Sequence, residues 1–186
     1  LKSREEPEAL EQMKSWMLCG LAAPTLLIAA VLPGLAQEST NRVSANTDWS
    51  VFVEESPKEC WAVSAPKETV NTKDGKPTAV KRGDILLFVT YRPGAKGEVS
   101  FSGGYPFAGG STVAMDIGGS KFELFTDGEW AWSGSKEDDA KIIAAMKSGA
   151  SAVLSARSGR GTQTKDSFSL NGISAALDEA AKRCAG

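Results

Sequence analysis

The stretch Phe122-Glu-Leu-Phe-Thr-Asp-Gly-Glu-Trp-Ala-Trp132 decides the fold class of this chain. Apolar and polar residues largely alternate in it, which is typical of a β-strand with one buried face. Asp127-Gly128 in its middle supplies the backbone freedom that a tight turn between antiparallel strands needs. The stretch therefore predicts a β-hairpin in which the two tryptophans lie opposite Phe122 or Leu124, so that at least one tryptophan belongs to the core.

The same pattern continues along the chain on both sides of this hairpin. Short runs rich in Val, Ile, Phe, Thr and Trp alternate with clusters of Gly, Pro, Asn and Asp, and such spacing predicts many short strands. The predicted strands cover residues 49–53, 60–65, 85–91, 99–101, 112–117, 122–125, 129–132, 152–157 and 167–170. The pattern favours a mostly-β, two-sheet β-sandwich, with a closed β-barrel as the alternative.

Two segments interrupt the strands and predict short helices. Ser135 followed three residues later by Asp138 resembles a capping box at a helix start, and Gly149 fits the end of that helix. Apolar residues recur every four positions from Ile173 to Ala181, which predicts a second helix at the C-terminus.

Composition limits the function classes. The 186 residues suffice for one domain, and the formal charge of −2 is spread along the chain without a basic block that would indicate nucleic-acid binding. The chain contains no histidine, so Ser-His, Cys-His and His-metal catalysis are excluded. The acidic residues 137–139 fit the first turn of a helix better than a metal site, because the helix dipole stabilises anions there. We expect no metal and no cofactor.

The region that begins at Met13 has the three parts of an export signal. Lys14 precedes an apolar run over residues 16–32, and the small residues Gly34 and Ala36 fit a cleavage site. We expect cleavage after Ala36, and the alternative is a retained membrane anchor, because the run approaches the length of a spanning helix. After cleavage we expect no membrane span, and a periplasmic or secreted location.

The position of the export signal also fixes the expected organisation of the rest of the chain. Four glutamates lie where the positive region of a signal should be, so the first residues are expected to be a mis-assigned start. The expected organisation is a mis-assigned start over residues 1–12, a signal peptide over 13–36, a flexible leader over 37–47 and one β-sandwich domain over 48–186.

Signal cleavage would remove Cys19 and leave two cysteines. An even pair in an oxidising compartment predicts a disulfide between Cys60 and Cys184. The bond would join the second predicted strand to the last helix. The two cysteines lack the Cys-x-x-Cys spacing of a redox pair, so the bond is expected to be structural.

Two segments are candidate binding sites. Tyr105 and Phe107 lie between glycine pairs on a loop, which would present aromatic side chains on a rigid scaffold, or else fold them back onto the sandwich edge. Arg157, Arg160 and Thr162 lie in one Gly-containing turn, whose guanidinium and backbone N–H groups suit an anion, although a plain polar turn has the same composition.

The tryptophans are a third possibility. Trp49, Trp61, Trp130 and Trp132 could form a platform on which a sugar or another ligand stacks. Each lies in a predicted strand, however, where aromatic side chains usually pack in the core or in cross-strand pairs.

Several motifs in fixed order resemble those of the invasion-associated locus B family. The resemblance extends from Trp49 to Cys184. The motifs are Arg82-Gly83-Asp84, Tyr91-Arg92-Pro93-Gly94, Gly103-Gly104-Tyr105-Pro106-Phe107, Gly128-Glu129-Trp130-Ala131-Trp132, Ala145-Met146-Lys147, Arg157-Ser158-Gly159-Arg160-Gly161-Thr162, Asp166-Ser167-Phe168-Ser169-Leu170 and the final Cys184.

This resemblance implies an exported protein of Gram-negative bacteria with an immunoglobulin-like sandwich, in a family named for a member linked to entry into host cells. It implies no known reaction. Many relatives carry a further cysteine shortly after the tryptophan of the first strand, where this chain has Phe52 and Val53. A second disulfide is therefore not expected.

The expected function is that of a non-enzymatic binding protein whose partner is an unknown protein or envelope component. The alternative is a periplasmic receptor for a small ligand or an anion. An enzyme that uses a carboxylate pair or a Ser-Lys dyad needs no histidine, but no Ser-x-x-Lys occurs at a predicted helix start.

Overall fold

The computed structural model describes residues 41–185, in which the alternating apolar runs form twelve strands and two helices. The predicted signal peptide over residues 13–36 and the residues before it lie outside the described part. The strands are β1 (Arg42–Asn46), β2 (Trp49–Glu55), β3 (Lys58–Ser64), β4 (Glu68–Lys73), β5 (Lys76–Pro77), β6 (Leu86–Tyr91), β7 (Glu98–Ser102), β8 (Thr112–Ile117), β9 (Ser120–Asp127), β10 (Trp130–Ser133), β11 (Ser151–Arg157) and β12 (Gln163–Ser169). The helices are α1 (Lys136–Ser148) and α2 (Ile173–Cys184).

All described strands belong to one antiparallel sheet in the order β1-β2-β3-β6-β7-β10-β9-β8-β11-β12-β4-β5. The sheet folds over itself, so that Phe101 of β7 meets Phe168 of β12 edge to face across the core at 6.1 Å between ring centroids. The mostly-β sandwich with two helices is therefore confirmed. The two layers are halves of one continuous sheet, and because β1 and β5 end it without pairing to each other, the alternative of a closed barrel is wrong.

Alternate residues of the strands fill the space between the two halves. In β2, for example, Trp49, Val51 and Val53 are buried while the residues between them are half-buried. The indole Nε1 of Trp49 donates to the carbonyl of Ser169 at the end of β12 over 3.0 Å. The polar atom of this core tryptophan is thereby satisfied, and the two halves are joined where β2 passes β12.

Both helices pack against the sheet, α1 on β7 and β10, and α2 on β1, β2, β3 and β6. Ser135 caps α1 as predicted, because its Oγ accepts the backbone N–H of Asp138 over 3.1 Å. Ile142 and Met146 bury the apolar side of α1. The acidic first turn has a structural role, since the buried Asp139 carboxylate accepts the N–H of Val99 in β7 over 2.8 Å.

The C-terminal helix α2 is fixed covalently to the sheet. Ile173 and Leu177 pack into the core, and Cys184 forms a disulfide with Cys60 of β3, with 5.8 Å between the Cα atoms. The predicted bond is thus confirmed, although β3 is the third strand of residues 41–185 and not the second.

Three strands lie where none was predicted. Strand β1 lies within residues 37–47, the segment expected to be a flexible leader, and it pairs with β2. Strands β4 and β5 form a hairpin around Asp74-Gly75, both with positive φ angles of 50° and 73°. The exposed residues of these two short strands show no apolar alternation in the sequence.

The central hairpin differs from its prediction in register. Its loop consists of Gly128 and Glu129, and Trp132 pairs with Phe125 while Trp130 pairs with Asp127. Because neighbouring residues of a strand point to opposite faces, an offset of one residue moves both tryptophans to the outer face. The prediction that one of them is in the core is wrong, and Trp130 is 40% exposed.

Neither helix of residues 41–185 combines the length and the apolar character that crossing a membrane requires.

Candidate functional site

The two segments that the sequence singled out meet in the structure. The loop of residues 103–110 follows β7, and the turn of residues 158–162 joins β11 to β12. The N–H of Gly159 donates to the carbonyl of Pro106 over 3.0 Å, and Phe107 pairs with Ser158 in an isolated β-bridge. Between these segments and residues 79–82 lies a cavity of about 580 Å³, which we name the Tyr105 cleft.

Three of the five predicted binding residues line the Tyr105 cleft, namely Tyr105, Arg160 and Thr162. The other two do not. Phe107 is only 8% exposed and packs against Phe101 with its ring 6.1 Å away, so it is a core residue and its prediction as a presented side chain is wrong. Arg157 lies at the end of β11, where it lines a separate depression.

A buried ion pair forms the base of the Tyr105 cleft. Arg82 donates from Nη1 and Nη2 to the two carboxylate oxygens of Asp166, each over 2.7 Å. The side chains are 6% and 0% exposed respectively. Such a two-pronged pair fixes both position and orientation, because the planar guanidinium matches the carboxylate.

The remaining N–H groups of Arg82 are also engaged. Nε and Nη2 donate to the carbonyl of Gly103 over 3.0 and 2.8 Å, and Nη1 donates to Oδ1 of Asn71 over 3.3 Å. A guanidinium has five N–H groups, so this one has none left for a ligand. Arg82 therefore holds the base of the cleft rigid and does not bind a ligand directly.

Tyr105 lies on this ion pair. Its ring centroid is 4.9 Å from the guanidinium carbon of Arg82, and its hydroxyl shares a hydrogen bond of 2.5 Å with Oγ1 of Thr164. Burial raises the pKa of the Tyr105 phenol above its ordinary value, and the hydrogen bond from Thr164 and the charge of Arg82 offset this only in part. The phenol is therefore neutral at physiological pH and presents a half-buried aromatic surface.

The backbone of the loop requires glycine at position 104. Gly104 has a φ of +69°, and a Cβ atom there would lie 2.6 Å from the carbonyl oxygen of Gly83. Gly83 in turn donates its N–H to the carbonyl of Gly104 over 2.8 Å. This close approach fastens the segment before β6 to the loop that carries Tyr105.

The backbone of the 158–162 turn is largely engaged within the protein. The N–H of Ser158 donates to the carbonyl of Thr162, and the N–H groups of Gly161 and Thr162 donate to the carbonyl and Oγ of Ser158. Together with the bond from Gly159 to Pro106, four N–H groups of the turn are satisfied. An anion at this turn would therefore be held by side chains.

The exposed rim of the Tyr105 cleft carries charges that are available to solvent. Lys81 and Arg160 are exposed cations, and Glu129 is an exposed carboxylate. Because the charge of Arg82 is balanced by Asp166, the rim contributes two positive charges and one negative charge. The cleft is thus mildly positive in a chain whose formal net charge is −2.

Reasoning from the sequence missed Arg82 and Asp166 as parts of this site. Both occur in motifs of the family resemblance, but an arginine before the sixth strand and an aspartate in the last strand give no sign of being paired. The one available signal is that Asp166 lies two residues before Phe168 and so shares its face of the strand, because a carboxylate on a buried face is almost always paired.

Comparison with known proteins agrees with the fold and with the resemblance. The model of the family described as invasion associated locus B protein matches residues 49–181. Among solved structures, the chain is similar to invasion associated protein B from Bartonella henselae, with 16% sequence identity over 74% of this chain and 94% of that chain and a TM-score of 0.50. No curated protein sequence gives a significant match. The structural likeness concerns the fold alone, whereas the family match spans most of the described residues, and the chain therefore belongs to the invasion associated locus B family.

Proposed function

We propose that this protein is an exported, non-enzymatic binding protein of the bacterial envelope, and that it holds its partner at the Tyr105 cleft. One observation carries the proposal: Tyr105 and Arg160 belong to two separate segments but line the same cavity. The base of this cavity is the Arg82–Asp166 ion pair, in which every N–H group of Arg82 is hydrogen-bonded. A rigid base with an aromatic surface and exposed charges at its rim is the composition of a binding site.

A binding role also fits the chemical state of the groups in the cleft. The Tyr105 phenol is neutral at physiological pH, as burial raises its pKa further above the ordinary value of 10.0, and the Arg82 guanidinium is fully hydrogen-bonded. Neither group is available as a base or as a nucleophile at physiological pH. The groups that solvent reaches, Lys81, Arg160 and Glu129, suit ionic and hydrogen-bonded contacts.

The export signal predicted over residues 13–36 and the membership of the invasion associated locus B family support a location in the periplasm or outside the cell. The cysteine pair fits the same compartment, because the disulfide between Cys60 and Cys184 persists in an oxidising environment. The partner that this location offers is a protein or another envelope component.

The experiment is site-specific crosslinking in the native envelope. A photoreactive amino acid is placed at Pro106 or Arg160, both exposed in the cleft, and at Lys121, which is exposed but does not line it. We expect the same saturable product from the first two positions and none from the third. Equal products from all three positions, or none at positions 106 and 160, would contradict the proposal.

A receptor for a small anion is the second candidate, favoured by the two exposed cations of the rim. Phosphate, sulfate and citrate should then raise the melting temperature of the protein, and Arg160→Ala should abolish the shift. Arg157→Ala is the matched control, since Arg157 is an exposed arginine in a neighbouring position outside the cleft. No shift with any of the three anions would exclude this candidate.

A further inference from the structure

A row of aromatic side chains covers the outer face of one half of the sheet, away from the Tyr105 cleft. Phe52 of β2 pairs with Trp61 of β3, and their rings stack with centroids 5.8 Å apart. Trp130 of β10 contacts Phe88 of β6 at 5.5 Å and Trp132 at 6.3 Å. The residues that alternate with them in the strands are buried in the core, so all five rings lie on the outer face.

A groove within this row follows from the register of the strands. Ser100 of β7 pairs with Phe88 on one side and with Trp132 on the other. A small side chain between two aromatic ones leaves a space, and Ser100 is only 7% exposed at its bottom. The resulting cavity of about 330 Å³ is also lined by Trp61 and Trp130, and we name it the aromatic groove.

The aromatic groove ends in a group of three charged side chains, one guanidinium and two carboxylates, whose net charge is −1. Arg92 donates from Nε to Oε1 of Glu59 over 2.6 Å and from Nη1 to Oε2 of Glu98 over 3.3 Å. The second oxygen of each carboxylate accepts no hydrogen bond from residues 41–185. All three side chains are between 33% and 45% exposed, so these oxygens and the free N–H groups of Arg92 face solvent.

These features select among the possible ligands. A basic peptide would gain little here, because the net charge of the group is only −1 and both carboxylates already have Arg92 as a partner. An anion would be repelled by a group with two carboxylates and one guanidinium. The groove combines flat aromatic rings with hydrogen-bond acceptors and donors that have no partner yet within residues 41–185. This combination suits an uncharged molecule that has both apolar faces and many hydroxyl groups.

We propose that the aromatic groove binds a neutral oligosaccharide of pyranose sugars. The C–H faces of the sugar rings pack on Trp130 and Trp132, and sugar hydroxyls donate to the spare oxygens of Glu59 and Glu98. The volume of about 330 Å³ lies at the lower end of the range for ligand sites, so the groove holds a short part of a longer chain. The site is separate from the Tyr105 cleft and does not depend on the function proposed for it.

Titration calorimetry of the exported protein with neutral hexasaccharides of glucose, mannose, xylose and N-acetylglucosamine tests this proposal. At least one of them should bind with a dissociation constant below about 1 mM, and Trp130→Ala should weaken binding by about tenfold or more. Trp130→Phe should retain most of the affinity, because it keeps an aromatic face. Glu98→Gln should weaken binding of the same hexasaccharide, since it replaces one carboxylate oxygen of the groove, a hydrogen-bond acceptor, with an amide NH₂ group.

Phe125→Ala is the matched control, because Phe125 is 56% exposed on the same face but does not line the groove. It and Arg160→Ala should leave sugar binding unchanged, and circular dichroism should show all variants folded. The proposal is overturned if none of the hexasaccharides binds, if Phe125→Ala weakens binding as much as Trp130→Ala, or if only a lysine-rich peptide binds. It is equally overturned if sedimentation shows that Trp130 instead holds two copies of the chain together.

Discussion

Arg82 and Asp166 lie 84 residues apart in the sequence and share two hydrogen bonds of 2.7 Å in the interior of the protein. Through this pair the segment before β6 is joined to the last strand, and through the carbonyl of Gly103 it is joined to the end of β7. Removing one partner leaves the other charge buried and unpaired, which costs far more than the pair contributes as a whole.

Arg82→Met and Asp166→Leu should each lower the free energy of unfolding by about 3–5 kcal/mol, measured by urea denaturation. Arg157→Met removes an exposed arginine and should change this free energy by about 0.5 kcal/mol or less. The double variant Arg82→Met/Asp166→Leu should be more stable than either single variant, because no charge remains unpaired. Additive losses in the double variant would show that the pair is not coupled.

Gly104→Ala should destabilise the protein more than Gly110→Ala. Both glycines have positive φ angles, +69° and +68°, so both substitutions carry the cost of about 1–2 kcal/mol for a left-handed L-residue. Only at Gly104 does the new Cβ also meet backbone, the carbonyl of Gly83 at 2.6 Å, whereas nothing lies within 4 Å at Gly110. Equal shifts in melting temperature for the two variants would contradict the close approach of the two loops.

Loss of the disulfide should lower the stability of the fold without affecting sugar or partner binding in the folded state. Cys184→Ala should lower the free energy of unfolding by about 2–5 kcal/mol under oxidising conditions. Reduction of the original protein should lower it by a similar amount, and reduction should not change the variant further. In a chain that carries Cys19→Ser, thiol titration after unfolding should find no free thiol before reduction and two after it.

Both tyrosines of the chain should ionise only in strong alkali while the protein is folded. Burial raises the pKa of Tyr91 and of Tyr105 above the ordinary value of 10.0. The folded state then holds these protons more tightly than the unfolded state, so the associated stability is complete below pH 10 and is lost as the pH rises through the folded pKa values.

Ultraviolet absorbance of tyrosinate measures this directly. The folded protein should titrate above the midpoint of the urea-unfolded protein, and Tyr105→Phe should halve the amplitude and reduce the loss of stability in alkali. A folded midpoint equal to the unfolded one would show that the Tyr105 phenol is open to water.

The strands that the sequence revealed are those with one buried face. Strands β1 and β4 escaped recognition because they lie at or near the edges of the sheet, where almost every side chain is exposed or half-buried and no alternation of apolar residues arises. Strand β12 was recognised only from Ser167 onward, since the buried positions before it are Thr164 and Asp166. Polar residues in the core have no period that distinguishes them from surface residues.

Within the candidate site, the sequence indicated Tyr105 and Arg160 because glycines flank them and leave their segments irregular. It could not indicate that the two segments adjoin, since this depends on the pairing of Phe107 with Ser158 across the sheet. The aromatic groove was not predicted from the sequence, for a different reason. The register of the central hairpin decides which face carries Trp130 and Trp132, and an error of one residue assigned them to the core.

The bond between Cys60 and Cys184 spans the loops that carry the Tyr105 cleft. A protease that cuts the chain once anywhere between these two cysteines therefore produces two pieces that remain covalently joined. The nicked molecule keeps its mass until it is reduced, and the two halves of the sheet remain held together by their own hydrogen bonds and by the disulfide. A single cleavage in the loop of residues 103–110 would thus change the cleft without releasing any part of the protein.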